Sequence, residues 1–186
     1  MEKKLDLRVV KTLNALTEAL YTLMCQKSLD EITVTEICDR AMIRKATFYK
    51  HFSNKYDLLR YMLQDLQRTC QRDITSDYDT KDSYSFYVGV FSWMMDFVED
   101  NDIFVSNVLK GNSGNFVLSI IQENIRLDID KHLTQENRPD VQEAHGMLSA
   151  IYASAIVGCI TWWKTQDNSP SKEQMIVWFN NFVRKL

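Results

Sequence analysis

The chain has 186 residues, of which 45% are hydrophobic and 25% charged, and its net charge at pH 7 is −3. This length and composition are typical of a globular protein with a hydrophobic core and exclude a disordered tail. Five Gly and two Pro provide too few turn residues for a β-sandwich or a barrel. The four cysteines form no Cys-x-x-Cys pair, so the sequence predicts no metal site and no cofactor. It also has no apolar signal segment, which predicts a cytoplasmic protein.

Charge is distributed unevenly along the chain. Residues 1–60 carry 11 Lys and Arg against 8 Asp and Glu, whereas residues 61–186 carry 11 against 17. The stretch 40–56 contains two Arg and three Lys and no acid at all. Because a solvated helical surface usually mixes both signs, this basic stretch indicates contact with a polyanion.

Helical patterns begin close to the start of the chain. Leucines and other apolar residues at three- and four-residue steps predict a first helix over 9–23. A capping box at 33–36 predicts a second helix over 34–41, and a third follows over 44–51. Two short helices joined by a tight turn predict a helix-turn-helix, a motif whose second helix lies in the major groove of DNA.

The rest of the chain also predicts helices. A long fourth helix begins after Phe52-Ser53-Asn54-Lys55, and a final helix begins after Ser169-Pro170-Ser171. Between them, apolar periodicity and loop residues predict four further helices, over residues 84–98, 103–110, 115–133 and 140–166. The sequence therefore predicts an all-α protein with about nine helices, in which a helix-turn-helix head is followed by a helical-bundle body.

One uncharged stretch, residues 147–163, approaches the length of a membrane span. It is shorter than the usual span of about 20 residues, and it contains several hydroxyl groups. Its Ala and Gly residues permit close approach of another helix, and Trp162 and Trp163 are candidates for a subunit contact. We therefore expect a helix with one face on its own core and the other on a partner subunit, without a membrane.

Two sequence runs identify a family resemblance. Thr-Val-Thr-Glu-Ile-Cys-Asp-Arg-Ala at 33–41 is followed by Thr-Phe-Tyr-Lys-His-Phe-Ser-Asn-Lys at 47–55 and then by Asp-Leu-Leu. Over about residues 8–60 the chain resembles the DNA-binding head of the tetracycline-repressor (TetR/AcrR) family. That family usually has Gly in the turn and Ser or Thr near the start of the recognition helix, whereas this chain has Met42 and Arg44.

The resemblance implies two domains with different functions. Residues 1–55, the head, are expected to form the helix-turn-helix DNA-binding domain. Residues 56–186, the body, are expected to form the ligand-binding and dimerisation domain, with the last two helices pairing with those of a second copy. The expected protein is thus a homodimer that binds a near-palindromic double-stranded DNA operator.

The candidate DNA contacts are polar, basic or small residues of the second and third helices and the start of the fourth: Thr33, Thr35, Arg44, Lys45, Ala46, Thr47, Tyr49, Lys50, His51 and Lys55. Tyr49 has the alternative of a core ring, although the family resemblance favours a phosphate contact. Thr33 is first of all a helix cap. Phe48 and Phe52 are expected in the core, where they fix the recognition helix. His51 has no second ligand at metal-binding spacing, so a catalytic or metal-binding role is not expected.

The body is expected to bind a small apolar or amphipathic effector, as the resemblance implies. The candidate lining residues are the aromatic side chains Trp93, Phe97, Phe104, Phe116 and Trp162. Asp96 is a candidate partner for a cationic effector. No nucleophile elbow, phosphate loop or dinucleotide motif is present, so we expect no enzyme.

The expected function is that of a sequence-specific transcriptional repressor released from DNA by a small-molecule effector. Two alternatives stay open. In one, the protein is an activator or adaptor whose acidic body binds a protein co-regulator. In the other, Cys38 or Cys159 acts as a redox trigger, which requires an exposed thiol of low pKa in place of the apolar helical surroundings that the sequence indicates.

Overall fold

A computed structural model describes residues 7–77, 83–135 and 138–185 of the chain. These residues form nine α-helices and one 3₁₀ turn, and no strand occurs among them. The all-α prediction is confirmed. In chain order the elements are α1 (Leu7–Met24), the 3₁₀ turn Leu29–Glu31, α2 (Val34–Ala41), α3 (Lys45–Phe48), α4 (Lys55–Asp77), α5 (Ser83–Asp100), α6 (Asp102–Lys110), α7 (Gly114–Leu133), α8 (Pro139–Thr165) and α9 (Lys172–Val183).

The start of α2 is fixed by the predicted capping box. The Thr33 hydroxyl accepts a hydrogen bond from the Glu36 amide at 3.2 Å, and the Glu36 carboxylate accepts one from the Thr33 amide at 2.9 Å. Lys27, which follows α1, donates to the same carboxylate at 2.5 Å. The ammonium of Lys27, with the amide and hydroxyl of Thr33, lowers the pKa of Glu36 to about 2. These contacts tie the first helix of the motif to the end of α1.

The turn between α2 and α3 has an unusual backbone. Met42 ends α2 in the left-handed region with φ 55°, the only non-glycine positive φ among the described residues, and its side chain is 93% exposed. An L-residue costs about 1–2 kcal/mol in this region because its Cβ crowds the following carbonyl. Met42 lies where the family usually has Gly, so the turn carries this strain although the Met42 amide caps α2 by bonding to Asp39.

We expect Met42→Gly to stabilise the protein. Removing Cβ relieves the strain, and the greater freedom of Gly in the unfolded chain offsets part of the gain, which leaves about 0.5–1 kcal/mol. The measurement is the free energy of unfolding in urea. Met42→Ala is the matched control, since it removes the exposed side chain but keeps Cβ. Equal stabilities of the two variants would contradict this account.

The third helix is shorter than the sequence predicts. The structure gives α3 the bounds Lys45–Phe48, whereas the prediction extended it to residue 51. Beyond Phe48 the hydrogen bonds tighten, with the amides of Lys50 and His51 bonded three residues back, to Thr47 and Phe48. The helical prediction failed there because the chain passes through turns before α4 begins.

The chain divides into two compact units. The first comprises residues up to Asp65 together with the segment Asn101–Val117, and the second comprises Leu66–Asp100 and the residues from Leu118 onward. In the first unit α1 packs on α2 and α6, and α3 packs on α2. The segment containing α6 thus belongs with the head by its contacts. The domain division at residues 55 and 56 stays a prediction.

In the second unit, α5 packs against α8 and α9. Aromatic rings stack between these helices: Phe91 lies on Phe179 at 4.1 Å between ring centroids, and Tyr87 lies on Tyr152 at 4.0 Å. The near-uniform apolar character of α5 is therefore explained by burial on two sides, as its sequence indicates.

Helix α8 is apolar and long enough, at 27 residues, to cross a membrane by length and composition alone. Its inward face is buried and includes Ser149, Tyr152 and Ile156. Its outward face carries Met147, which is 62% exposed, Ile151 at 43% and Trp162 at 46%. The same one-sided pattern continues on α9, where Val177, Trp178 and Phe182 are exposed. We call these six residues the α8–α9 apolar face.

Candidate nucleic-acid interface

The third helix is held in place by aromatic rings on its inner side. Phe48 is fully buried and Phe52 is 8% exposed, with their ring centroids 5.8 Å apart. Phe52 in turn lies 5.7 Å from the ring of Tyr61 on α4. This packing confirms the core roles predicted for both phenylalanines, and it leaves the opposite side of α3 open to solvent.

Most of the candidate DNA contacts are exposed in the structure. Eight of the ten candidates are exposed, namely Thr33, Thr35, Arg44, Lys45, Ala46, Tyr49, Lys50 and His51. The other two, Thr47 and Lys55, are half-buried. All ten belong to the first unit, on α2, α3 and the start of α4 or beside them. They therefore present a surface rich in cations and hydroxyls with no acid between residues 40 and 56.

The hydroxyl groups of Thr33 and Thr35, at the N-cap and in the first turn of α2, have different environments. Thr33 uses its hydroxyl within the capping box, where it also donates to Glu36 at 2.9 Å. Thr35, in the first turn of α2, is exposed. The arrangement supports the view of Thr33 as primarily a cap and leaves Thr35 as the available hydroxyl of this helix end.

Tyr49 has the environment of a surface residue. Its side chain is 57% exposed, and only the edge of its ring meets Phe48, with the centroids 5.3 Å apart. The ring of Tyr49 is therefore on the surface and not in the core. The phosphate contact itself stays a prediction.

Lys55 has partners that sequence reasoning missed. Its ammonium donates to the carbonyls of Leu29 and Ile32 at 2.7 Å and of Asp30 at 3.2 Å. The three carbonyls surround the 3₁₀ turn that directly precedes α2. A role of Lys55 as a DNA backbone clamp stays a prediction, but the side chain also holds this turn, a contact that no local sequence signal reveals.

Lys55 is itself positioned by a cap on α4. Asn54 accepts hydrogen bonds through its side-chain oxygen from the amides of Tyr56 and Asp57, at 2.8 and 3.0 Å. Asp57 returns the contact by accepting from the Ser53 amide at 3.1 Å. An Asn directly before a helical run is a typical start signal, so this cap was readable in the sequence.

The five aromatic candidates for an effector pocket fall in both units. Trp93 and Phe97 stack on each other in the second unit at 5.6 Å, and the Trp93 indole donates to Asp73 at 3.0 Å. Trp162 lies on the exposed face of α8. Phe104 and Phe116 belong to the first unit, where Phe104 stacks on Tyr21 and Phe116 meets Tyr56 edge-on. The structure brings Trp93 and Phe97 together.

Asp96 has a partner within the protein. Lys172, at the start of α9, bonds to Asp96 and Glu99 of α5, each at 2.7 Å. These two carboxylates raise the pKa of Lys172 and fix α9 on α5. The carboxylate of Asp96 is thus engaged by an internal cation, which weakens its candidacy for a cationic effector.

The second unit contains a polar contact that the sequence did not indicate. Gln67 and Gln71 of α4 donate their side-chain amides to the two oxygens of Asp128 on α7, the first at 2.7 Å. Burial raises the pKa of Asp128 despite these two hydrogen bonds. The network links α4 to α7 inside the unit.

Cys38 and Cys159, the two candidates for a redox trigger, do not have the surroundings of a redox switch. All four are free, and burial raises the pKa values of Cys38 and Cys159, with Asp39 adding to the effect at Cys38. A raised pKa disfavours the reactive thiolate. Within the described ranges, no group of three His, Cys, Asp or Glu side chains is arranged to hold a metal ion.

Two regions of the chain match known protein families. Residues 16–62 match the bacterial regulatory proteins of the tetR family, and residues 89–185 match the C-terminal region of transcriptional regulators. The first match covers the capped α2 and the outward-facing α3, and the second covers more than half of the chain.

Relatives and solved structures agree with these matches. The HTH-type transcriptional regulator YxbF of Bacillus subtilis is 41% identical over 70 residues, which are 37% of this chain and 18% of that protein. The fold of a TetR transcriptional regulator from Streptococcus agalactiae is similar, with a TM-score of 0.64 and 19% identity over 95% of both chains. The dihydroxyacetone kinase operon activator DhaS has a TM-score of 0.55 and 20% identity over 94% of both.

The chain spans less than half the length of the curated relatives that it matches. The family matches, by contrast, include both the helix-turn-helix head and most of the body. With its capped α2, its exposed α3 and its helical body, the chain belongs to the TetR family of DNA-binding transcriptional regulators.

Proposed function

We propose that this regulator is a homodimeric repressor that binds a near-palindromic DNA operator in the cytoplasm and leaves it when a small molecule binds the body. The observation that carries the DNA-binding part is the acid-free, basic surface at α3, where Arg44, Lys45 and Lys50 are exposed while Phe48 is buried. A helix whose inner side is fixed by packing and whose outer side is cationic suits the major groove.

The candidate contacts divide by chemistry into two roles. Lys45, Ala46 and Thr47 lie at the start of α3, where small or hydroxylated side chains let the helix approach base edges and thymine methyl groups. Tyr49, Lys50, His51 and Lys55 follow it, and their donors suit phosphate oxygens, which set position and affinity but carry no sequence information. Arg44, at the N-cap of α3, suits either a phosphate or guanine.

The α8–α9 apolar face supports the proposed dimer. Its six large apolar side chains are between 43% and 62% exposed on two helices of one unit. Single exposed apolar residues are ordinary on a surface, whereas a large exposed apolar patch marks an interaction site, and we propose that these six residues form one. We propose that a second copy covers it in a two-fold arrangement of four helices.

A dimer of this kind reads two half-sites. Its two α3 helices would enter successive major grooves about 34–36 Å apart, one helical turn, or slightly more. Binding would weaken steeply with salt because lysines and arginines release counterions from the phosphates.

Operator competition distinguishes the two contact roles. We expect Lys45→Ala or Thr47→Ala to change the order of preference among operator variants, with about 1–3 kcal/mol at the affected base pair. Lys55→Ala, which removes both a proposed phosphate contact and the support of the turn at Leu29, is expected to weaken all sequences alike. The measurement is the dissociation constant for a panel of single-base operator variants. If all three variants rank the operator variants in the same order, the assignment of two contact roles is wrong.

The effector proposal rests on the second unit. Trp93 and Phe97 form the aromatic pair, with Asp73 bonded to the indole, and Trp162 stays a further candidate. Such rings suit an apolar or amphipathic molecule. We propose no catalytic role for the chain, no cofactor and no metal.

The alternative is an activator or adaptor whose body binds a protein co-regulator. It gains support from the structural similarity to DhaS, which is named an operon activator. Transcription measured from a promoter that carries the operator decides between the two. Deleting the gene for a repressor raises this transcription, whereas deleting the gene for an activator lowers it.

A further inference from the structure

By its contacts the segment Asn101–Val117 belongs to the first unit, although at both ends the chain continues into the second. Tyr21 of α1 donates a hydrogen bond to Asn101, and its ring stacks on Phe104 at 5.1 Å. Asn107 donates to the carbonyl of Met24, the last residue of α1, at 2.9 Å. The segment is therefore fixed along α1 by polar and aromatic contacts.

The loop after α6 makes the most specific of these contacts. Ser113 donates to Asp30 through both its amide, at 3.1 Å, and its hydroxyl. Together with the amide of Asn112, these donors lower the pKa of Asp30. A carboxylate held by several donors from one loop is a geometrically specific contact.

Glycine permits the close approach of this loop. A Cβ at Gly111 would lie 3.0 Å from a carboxylate oxygen of Asp30 and 3.2 Å from Cβ of Ser28. At Gly114 a Cβ would lie 2.5 Å from the carbonyl oxygen of Val108, which is closer than such atoms approach. Gly111 thus lets the loop fit against the 3₁₀ turn Leu29–Glu31, and Gly114 lets it pack on the end of α6.

That turn leads directly into the DNA-facing part of the head. Ile32 ends the turn, and Thr33 is the N-cap of α2. On its other side the turn is held by the Lys55 ammonium, which bonds to the carbonyls of Leu29, Asp30 and Ile32. Asp30 therefore contacts the Ser113 loop through its carboxylate and Lys55, a candidate phosphate contact, through its carbonyl. It lies three residues before Thr33, the N-cap of α2.

We infer that Ser113 is a positioning residue for DNA binding, acting through Asp30 and the Leu29–Glu31 turn on α2 and Lys55. The inference rests on the proposed DNA-binding function. It adds that the Ser113 loop, which lies beyond residues 1–55 in the sequence but packs with them, contributes to operator affinity through its contact with Asp30.

A double-mutant cycle on operator binding tests this inference. The variants are Ser113→Ala, Asp30→Ala and the pair, each measured as a full-length protein on the operator duplex obtained by selection. We expect each single variant to bind the operator about threefold to tenfold more weakly. The pair is expected to bind no more weakly than Asp30→Ala alone, because that change already removes the bond from the Ser113 hydroxyl. Ser113→Thr, which keeps the hydroxyl, is expected to restore most of the affinity.

A second readout separates positioning from simple stability. The same cycle is measured on the free energy of unfolding, with operator binding carried out well below the unfolding temperature. Coupling in the unfolding cycle alone, with unchanged operator dissociation constants, would overturn the inference and leave the proposed function intact. A wild-type protein that enriches no duplex would overturn the proposed function, and the inference with it.

Discussion

Ile151→Asp is expected to convert the protein to a monomer and to weaken operator binding by at least about a hundredfold, because two linked heads bind far more tightly than one. Ile151 is one of the six residues of the α8–α9 apolar face and is 43% exposed in a single copy. In the proposed dimer the new carboxylate would be buried without a partner, which is strongly unfavourable. In the monomer it stays in water, so the fold is expected to survive.

The chain offers a matched control for this change. Leu127 on α7 is also a large aliphatic residue, 49% exposed, and lies in the same unit outside the α8–α9 apolar face. Leu127→Asp is expected to leave both the dimer and operator affinity unchanged. The measurements are sedimentation for the mass in solution and titration of the operator duplex. A dimeric Ile151→Asp protein, or equal losses in both variants, would show that the interface lies elsewhere.

Phe48→Ala is expected to lower the free energy of unfolding by about 3–5 kcal/mol, the usual cost of emptying a fully buried aromatic site. Phe48 is 0% exposed and packs against Phe52, so the substitution leaves a cavity in the core. Since this ring fixes α3, operator binding is expected to fall as well. Urea unfolding and operator titration at low temperature measure the two effects.

The neighbouring residue separates stability from DNA contact. Tyr49 is 57% exposed, so Tyr49→Ala is expected to cost less than about 1 kcal/mol of stability. If its hydroxyl contacts a phosphate, Tyr49→Ala and Tyr49→Phe should both weaken every operator variant by a similar factor. The assignment of the two roles fails if Phe48→Ala leaves stability unchanged, or if Tyr49→Phe binds DNA as well as wild type.

Local signals in the sequence were sufficient to predict where most of the helices lie, including α1 and α2 of the head. The capping box at Thr33, the apolar periodicity of α1 and the loop residues around Gly111 each depend on neighbours within a few positions, so the bounds of most helices could be predicted closely. The C-terminal part of the third helix was an exception. Its tightening into turns depends on hydrogen bonds that the residue types around His51 do not specify.

Contacts between distant parts of the chain were not readable in this way. Phe104 and Phe116 look like pocket residues in an aromatic-rich body, yet they pack on Tyr21 and Tyr56 in the first unit. The partners of Lys55 and of Asp30 are likewise set by packing across tens of residues. Sequence reasoning therefore proposed a DNA-binding surface whose candidate residues are mostly exposed, but it missed the contacts that hold the Leu29–Glu31 turn in position.

Selection of bound duplexes from a random DNA library, with the full-length protein at two salt concentrations, tests the central claim most directly. The account predicts enrichment of one site with two-fold symmetry, with half-sites about one helical turn apart and binding that weakens steeply at the higher salt. A folded protein that enriches no sequence at either salt concentration, or a single asymmetric site bound by one copy, would contradict it.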